Sequence, residues 1–482
     1  MKVRVGKPLL TYLQHGARTN DGEDFYVGEV EADGFTAEAL IADTALVFDS
    51  IESDENTDLA AGWCALVDAI GKDANEPGPP EAEPEPEPEP EADPEPEADP
   101  EPKTEPGIAG EGVRLGVGSL LGSIGRSTVD FWPSNTNLNQ MNVGIVGDLG
   151  TGKTELVKAL IAQIRSQAAK VQPTKSTSML IFDYKGDFQR DEFLQRVGGV
   201  VLRPHAIPVN VFMPVTSDHS RLPYQQAAAF VDVLKKIYRG VGPVQASLLN
   251  ESIRELYEQN GNRPPTLAEV RTQYIEKSAN PDSVSSILDS FVLSHIFSDD
   301  RTTLKPFGEL LDGNVLVVAL DHLGQDQSAK NALVALFLNL YYDNMLRSGK
   351  PPFQGTDPQL RYLKSFLLVD EAVNIMRYDF PVLMDLMLQG RQFGYGVMLA
   401  SQYLSHFREG RENYGQPLRT WFIHKVPSVT GRELANLGLP DLSHDVPRRI
   451  TELRQHEVFF KSFGFDEGRF VRVVPYYELY GN

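Results

Sequence analysis

Residues 147 to 154 read Gly147, Asp148, Leu149, Gly150, Thr151, Gly152, Lys153, Thr154 and fit the pattern G-x-x-x-x-G-K-[ST]. Glycines at both ends of such a turn let the backbone wrap closely, so that successive N–H groups point inward at an anion. A helix beginning at the lysine brings its positive end to the same place. The chemistry this supports is the binding of a nucleoside triphosphate. The backbone from Gly147 through Glu155 would cradle the phosphates, Lys153 would reach the β- and γ-phosphates, and the Thr154 hydroxyl would ligate Mg2+.

A phosphate loop alone cleaves nothing; hydrolysis also needs an acid for the metal and a base for water. "SFLLVDEA", residues 365 to 372, offers both. Four apolar residues, Phe366 to Val369, suit a strand buried on both faces, and the acids fall at its C-terminal end, where open α/β sheets bind ligands. Asp370 is read as the Mg2+ residue and Glu371 as the base that polarises the attacking water. The plain alternatives are a strand ending in solvated acids and a glycine-rich surface turn. Against the second stand the strand-like run Asn142 to Val146 and the helical face of Leu156, Val157, Leu160, Ile161 and Ile164. The two motifs together argue against the first.

Three more apolar runs predict strands of the same sheet: "SMLIFDYKGDF" from Ser178, "NVLVVALDHLG" from Asn314 and "YGVMLASQ" from Tyr395. Each ends in polar residues at the edge where phosphate would lie. Asp183, Lys185 and Asp187 are therefore candidates to face the nucleotide, with a turn or cap as the competing role. Ser401 or Gln402 is placed to sense the γ-phosphate. Gln402 is the stronger of the two, because a polar residue closing a buried strand beside the acids is well placed to order the water.

The chain has 482 residues and a formal charge of −22. Residues 1 to 106 hold 28 acids and 6 bases, whereas the remainder holds 39 of each. Residues 76 to 106 alone carry 13 acids and 12 prolines. Proline removes backbone donors and like charges repel, so this stretch predicts a flexible, disordered acidic linker, with partner docking or mimicry of DNA as a functional alternative. Residues 1 to 75 predict a small acidic docking segment, helical around "LAAGWCALVDAIG" and strand-like at "TALVFDS". The rest, 107 to 482, predicts an α/β domain with a mainly parallel sheet and a helical insertion at about 215 to 310. Cys64 is the only cysteine, which excludes a disulfide framework and a thiolate metal site. His205, His219 and His295 are scattered, and no H-E-x-x-H or nuclease-like acid cluster occurs. With no basic-apolar leader and no run of eighteen apolar residues, the expectation is a soluble, cytoplasmic protein without a membrane segment.

In order along the chain, "GIVGDLGTGKTELVKAL", "LIFDYKGDF", "VLVVALDHLG" with the helix "AKNALVALFLNLYYDNML", "FLLVDEA" and "GRQFGYGVMLASQ" resemble the HerA/FtsK superfamily of ATP-driven DNA pumps over about residues 125 to 475. The resemblance implies a RecA-like P-loop NTPase that uses ATP and Mg2+, forms a homo-hexameric ring and acts on duplex DNA. "STVDFWPSNTNLNQMNVGIVGDLGTGKT" and "VLRPHAIPVNVF" look most like the ATPase part of DptH-type proteins, restriction components of DNA-phosphorothioation defence. That implies a motor of an anti-phage restriction system with a partner nuclease or other defence subunits. The short acidic front departs from those longer proteins. In such rings an arginine of the neighbouring subunit completes each site; Arg391 of "LQGRQFG" matches that position, with Arg432, Arg448 and Arg449 as competitors. The alternative function is a nucleotide-dependent assembly scaffold or switch that gates a partner nuclease, and a secretion or conjugation motor is a third reading.

Overall fold

The computed structural model describes the backbone of four strands in the first 53 residues and then residues 112 to 480, except 123–126, 139–140, 173–175, 216–222, 239, 356–358, 379, 409–411, 438, 440–444 and 463–467. The chain divides into two units, Met1–Pro102 and Lys103–Asn482. In the first, strands β1 (Lys2–Arg4), β2 (Phe25–Ala32), β3 (Phe35–Ala42) and β4 (Ala45–Ser53) form an antiparallel sheet in sequence order. The helical pattern of "LAAGWCALVDAIG" and the acidic linker lie outside the described residues.

The second unit is built on one eleven-stranded sheet in the order β6-β5-β15-β14-β13-β7-β12-β11-β8-β10-β9. Seven of these strands run parallel: β7 (Val143–Val146), β8 (Ser178–Asp183), β9 (Gly199–Leu202), β10 (Val315–Ala319), β11 (Ser365–Val369), β12 (Tyr395–Ser401) and β13 (Thr420–Ile423). The five apolar runs picked from the sequence are all members, at positions that make β12 the strand between the phosphate-loop strand β7 and the acid strand β11. Four antiparallel strands continue the sheet beyond β13: β14 (Glu457–Ser462), β15 (Arg469–Val473), β5 (Leu115–Leu120) and β6 (Thr128–Phe131).

Both faces of the central parallel strands are covered, which is why residues 179–182, 315–319 and 366–369 are apolar at every position instead of at alternate ones. Successive residues of β8 feed two separate cores: Met179 and Ile181 face the phosphate-loop helix α1 (Lys153–Val171), while Leu180 and Phe182 face the opposite layer. Helix α1 buries Leu156, Val157, Leu160, Ile161 and Ile164 in the first core, together with Phe193 of helix α2 (Asp191–Val197). Between β9 and β10 the chain makes helices α3 (Pro223–Ile237), α4 (Pro243–Gln259), α5 (Leu267–Lys277) and α6 (Ser283–Leu293), which pack into the second core. Thr266 and Asp282 start α5 and α6 with reciprocal capping boxes, so these helix ends are set by local sequence. Helix α7 (Gln327–Arg347) returns along the same layer, and a short helix, α8 (Tyr476–Tyr480), lies against α1. Among the described residues no helix is long and apolar enough to cross a membrane.

Candidate functional site

Parallel strands place all their C-terminal ends at one edge, and that edge carries the predicted chemistry. β7 runs into the phosphate loop, whose Gly150 and Gly152 take left-handed backbone angles, φ 72° and 102°. A β-carbon at Gly152 would overlap the His456 ring, and one at Gly147 would overlap His424 and Thr151. The loop is tied down on three sides. Gly147 N donates to Ser401 O (3.3 Å), Asp148 N to Lys425 O (2.9 Å), and His456 N to Thr151 O (3.0 Å). Thr151 also bonds its hydroxyl to Asp148 O at 2.8 Å, and Leu149 at the tip is 69% exposed. Helix α1 starts at Lys153 behind a Gly152 cap with no side-chain partner, so its first N–H groups face the loop. Lys153 Nζ donates to Gly147 O and, at 2.9 Å, to Asp148 O. Burial lowers its pKa while the Glu371 carboxylate opposes that shift.

Asp370 and Glu371 follow β11 at the same edge. Both are buried. Asp370 Oδ2 is enclosed without a hydrogen-bond partner, and burial, with Glu371 next to it, pushes its carboxyl up to about 7. A carboxylate oxygen left in that condition suits a cation. Among the described residues no cluster of three or more His, Cys, Asp or Glu could hold a metal alone. That fits Mg2+, which takes one or two protein ligands and completes its shell with phosphate and water; here Asp370 and Thr154 would hold it, and its charge would offset that of the phosphates. Glu371 has φ 54°, an uncommon conformation for a residue with a side chain, and functional sites are where such backbone persists. Its carboxylate accepts from Lys185 Nζ, and Gln402 Nε2 lies 3.3 Å from each of its oxygens. The structure thus brings Lys153, Lys185, Asp370, Glu371 and Gln402 into one cluster.

Other candidates take different places. Asp183 is engaged with its own loop: Oδ1 accepts from the backbone N–H of Lys185, Gly186 and Asp187, and Oδ2 from Phe188 N and Gln189 Nε2. Five donors use the acceptor capacity of the carboxylate, so Asp183 shapes the loop that presents Lys185. The Ser401 hydroxyl is paired with His406 Nδ1 at 2.7 Å, which leaves Gln402 as the polar end of β12. Arg391 precedes β12 and so lies at the opposite edge of the sheet, with the seven residues of β12 between it and Gln402. At about 3.3 Å per residue the separation is roughly 20 Å, which excludes a contact with its own phosphate loop. Arg448 pairs with Asp445 at 3.1 Å and Arg449 stacks on Phe470; Arg432 is exposed.

Two histidines escaped the sequence reading. His424 follows β13, is fully buried and sets Nδ1 3.0 Å from Thr151 O, while Nε2 has no partner. Burial, reinforced by Lys153, pulls its pKa down to about 3. His456 packs over Gly152 and meets the Tyr477 hydroxyl at 3.1 Å. The only signal for His424 was its position as the first polar residue after "TWFI", the same kind of strand ending that marked Gln402.

Residues 127–229 match the family model for the type IV secretion-system coupling protein DNA-binding domain. No curated protein matches the sequence. Among solved structures the fold is similar to VirB4 of Thermoanaerobacter pseudethanolicus, with a TM-score of 0.56 and 16% identity over 77% of this chain and 99% of that one. Weaker likenesses are to the plasmid coupling protein TrwB in complex with ADP and Mg2+ (TM-score 0.44, 16% identity, 69% of this chain and 85% of that one). B204, the DNA-packaging ATPase from Sulfolobus Turreted Icosahedral Virus, is similar at a TM-score of 0.33 and 11% identity, over 70% of this chain and 99% of that one. Strand order, phosphate loop and the likeness to VirB4 together identify the fold as that of the RecA-like P-loop ATPases.

Proposed function

We propose that this chain hydrolyses ATP and uses the energy to move or remodel duplex DNA, acting as a homo-hexameric ring. The observation that carries the chemistry is the convergence of Lys153, Asp370, Glu371 and Gln402 on one edge of the sheet, from three adjacent strands. Lys153 and the loop N–H groups would bind the phosphates, Asp370 and Thr154 would hold Mg2+, and Glu371, oriented by Gln402, would take the proton of the attacking water. DNA as the track is supported by the match of residues 127–229 to a DNA-binding domain of coupling proteins. A role in an anti-phage restriction system, with a partner nuclease, is supported by the sequence resemblance to DptH-type proteins. The test is release of phosphate from Mg·ATP together with displacement of a third strand from a duplex. Hydrolysis that survives Lys153→Ala would remove the site assignment, and hydrolysis without displacement would remove the motor.

A further inference from the structure

Glu371 is engaged from both sides. Its strand β11 lies between β12 and β8, and each neighbour sends one donor to its carboxylate: Gln402 from the end of β12 and Lys185 from the loop after β8. The Lys185 loop is not a loose tether. Asp183 gathers three consecutive N–H groups on one oxygen, Gly186 takes φ 80°, and Gln189 bridges Asp183 to Asp321 at 2.7 Å. This hydrogen-bonded loop aims one long cation at a carboxylate that is buried, while the lysine side chain itself stays partly exposed. Burial is the largest single influence on Lys185 and would lower its pKa; the bond to Glu371 and the charges of Glu371, Asp370 and Asp187 together turn the net shift upward. Asp370, Lys153 and Asp187 complete the surroundings of the pair. The ammonium and the amide occupy the carboxylate that the attacking water would have to reach.

Resting on the ATPase reading above, we propose that Lys185 is a positioning residue that holds Glu371 in reserve and is drawn off it by the γ-phosphate of the bound nucleotide. The terminal phosphoryl oxygens offer the ammonium more negative charge than one carboxylate does, and they arrive at the edge where Lys185 already sits. Release exposes Glu371 only when a triphosphate is present. A diphosphate lacks the competing group and leaves the pair closed.

The competition can be read from binding without turnover. Affinities for a non-hydrolysable ATP analogue and for ADP, both with Mg2+, are measured by fluorescence titration for wild type, Glu371→Gln, Lys185→Met and the double variant. Glu371→Gln frees Lys185 and should tighten the analogue by about tenfold, the scale of one charge-assisted hydrogen bond. In the Lys185→Met background the same substitution should change the analogue's affinity by less than about twofold. ADP should bind all four proteins alike, which also certifies their folding; Lys185→Gln replaces Lys185→Met if the latter fails that control. Equal tightening in both backgrounds would overturn the proposal, because it would then report only repulsion between Glu371 and the γ-phosphate. A wild-type protein that binds neither nucleotide would remove the ATPase reading itself.

Discussion

Lys153 and Glu371 belong to one charged cluster, yet their loss should be felt at different steps. Lys153→Ala removes a charge-assisted contact to phosphate and should weaken ATP binding at least tenfold. Glu371→Gln keeps the shape of the site and removes only the proton acceptor, so ATP should still bind while single-turnover hydrolysis falls about 10²- to 10⁴-fold. Wild-type turnover in Glu371→Gln would refute the base assignment. These residues were readable because the chemistry fixes their spacing within short motifs. Asp183 was less readable: an acid at the end of a buried strand suggests a residue facing the nucleotide, and only the path of the next six residues reveals that its oxygens are engaged by their N–H groups. His424 was not readable, since a histidine after a strand has no signature until the phosphate loop folds beside it. It carries a pH test. Its folded pKa is depressed to about 3 from 6.5, so the unfolded chain binds the extra proton and stability is lost as pH falls below 6.5. Between about pH 7.5 and pH 5 this costs about 2 kcal/mol. His424→Asn keeps a donor for Thr151 O and should lose less stability over that interval in urea melts. Equal losses in the two proteins would show that His424 is not the group responsible.

The parallel strands β7, β8, β10, β11 and β12 were legible as elements because burial on both faces leaves an apolar run with an abrupt polar end, whereas β9 and β13, four residues each, were not. The antiparallel flank was not. β5 is "LGVGSL", interrupted by glycines, and is a strand by virtue of a partner more than three hundred residues away in β15, while β6, four residues long, is a strand by pairing with β5. That flank matters to the site, since its strand β14 pairs with β13, whose C-terminal end leads into His424 and Lys425 against the phosphate loop, and the turn before β14 carries His456. The seam between β7 and β13 is closed by Trp421, whose indole lies on Gly144 of the phosphate-loop strand. Gly144→Ala would drive a methyl group into that ring. A loss of about 1 to 3 kcal/mol is expected, seen as a lower urea midpoint at unchanged slope. Because β7 feeds the loop directly, nucleotide affinity should fall with it. An unchanged midpoint would mean that the seam relaxes freely and that the antiparallel flank does not brace the site.

At the scale of the whole molecule, the proposed function requires sites completed within a ring and a grip on duplex DNA. Arg391 stands at the edge of the sheet opposite its own phosphate loop, so any contribution to hydrolysis must be made to a neighbouring subunit. Mixing inactive Arg391→Ala subunits with inactive Glu371→Gln subunits should then restore part of the hydrolysis, because some interfaces pair an intact arginine with an intact base. No recovery in verified mixed rings would count against the trans role, and a monomer by mass measurement would remove the ring. A net charge of −22 opposes DNA as a partner until it is located: the acids in excess all fall within residues 1 to 106, and residues 107 to 482 are balanced. Steering depends on where charges sit, so a balanced body can still present lysines and arginines to a duplex. A motor must respond to its track, and duplex DNA should therefore raise ATP turnover. Contacts to phosphate release counterions, so that stimulation should shrink as salt rises through a range that leaves basal hydrolysis unchanged. It should be nearly indifferent to sequence, because following a backbone reads charge and shape more than base edges. A nucleotide-dependent switch would behave otherwise, with turnover that follows its protein partner and ignores DNA. Hydrolysis rate against duplex concentration at two salt levels, in the assembled complex, separates them: a flat response at both would exclude DNA as the track and leave the phosphate loop governing assembly.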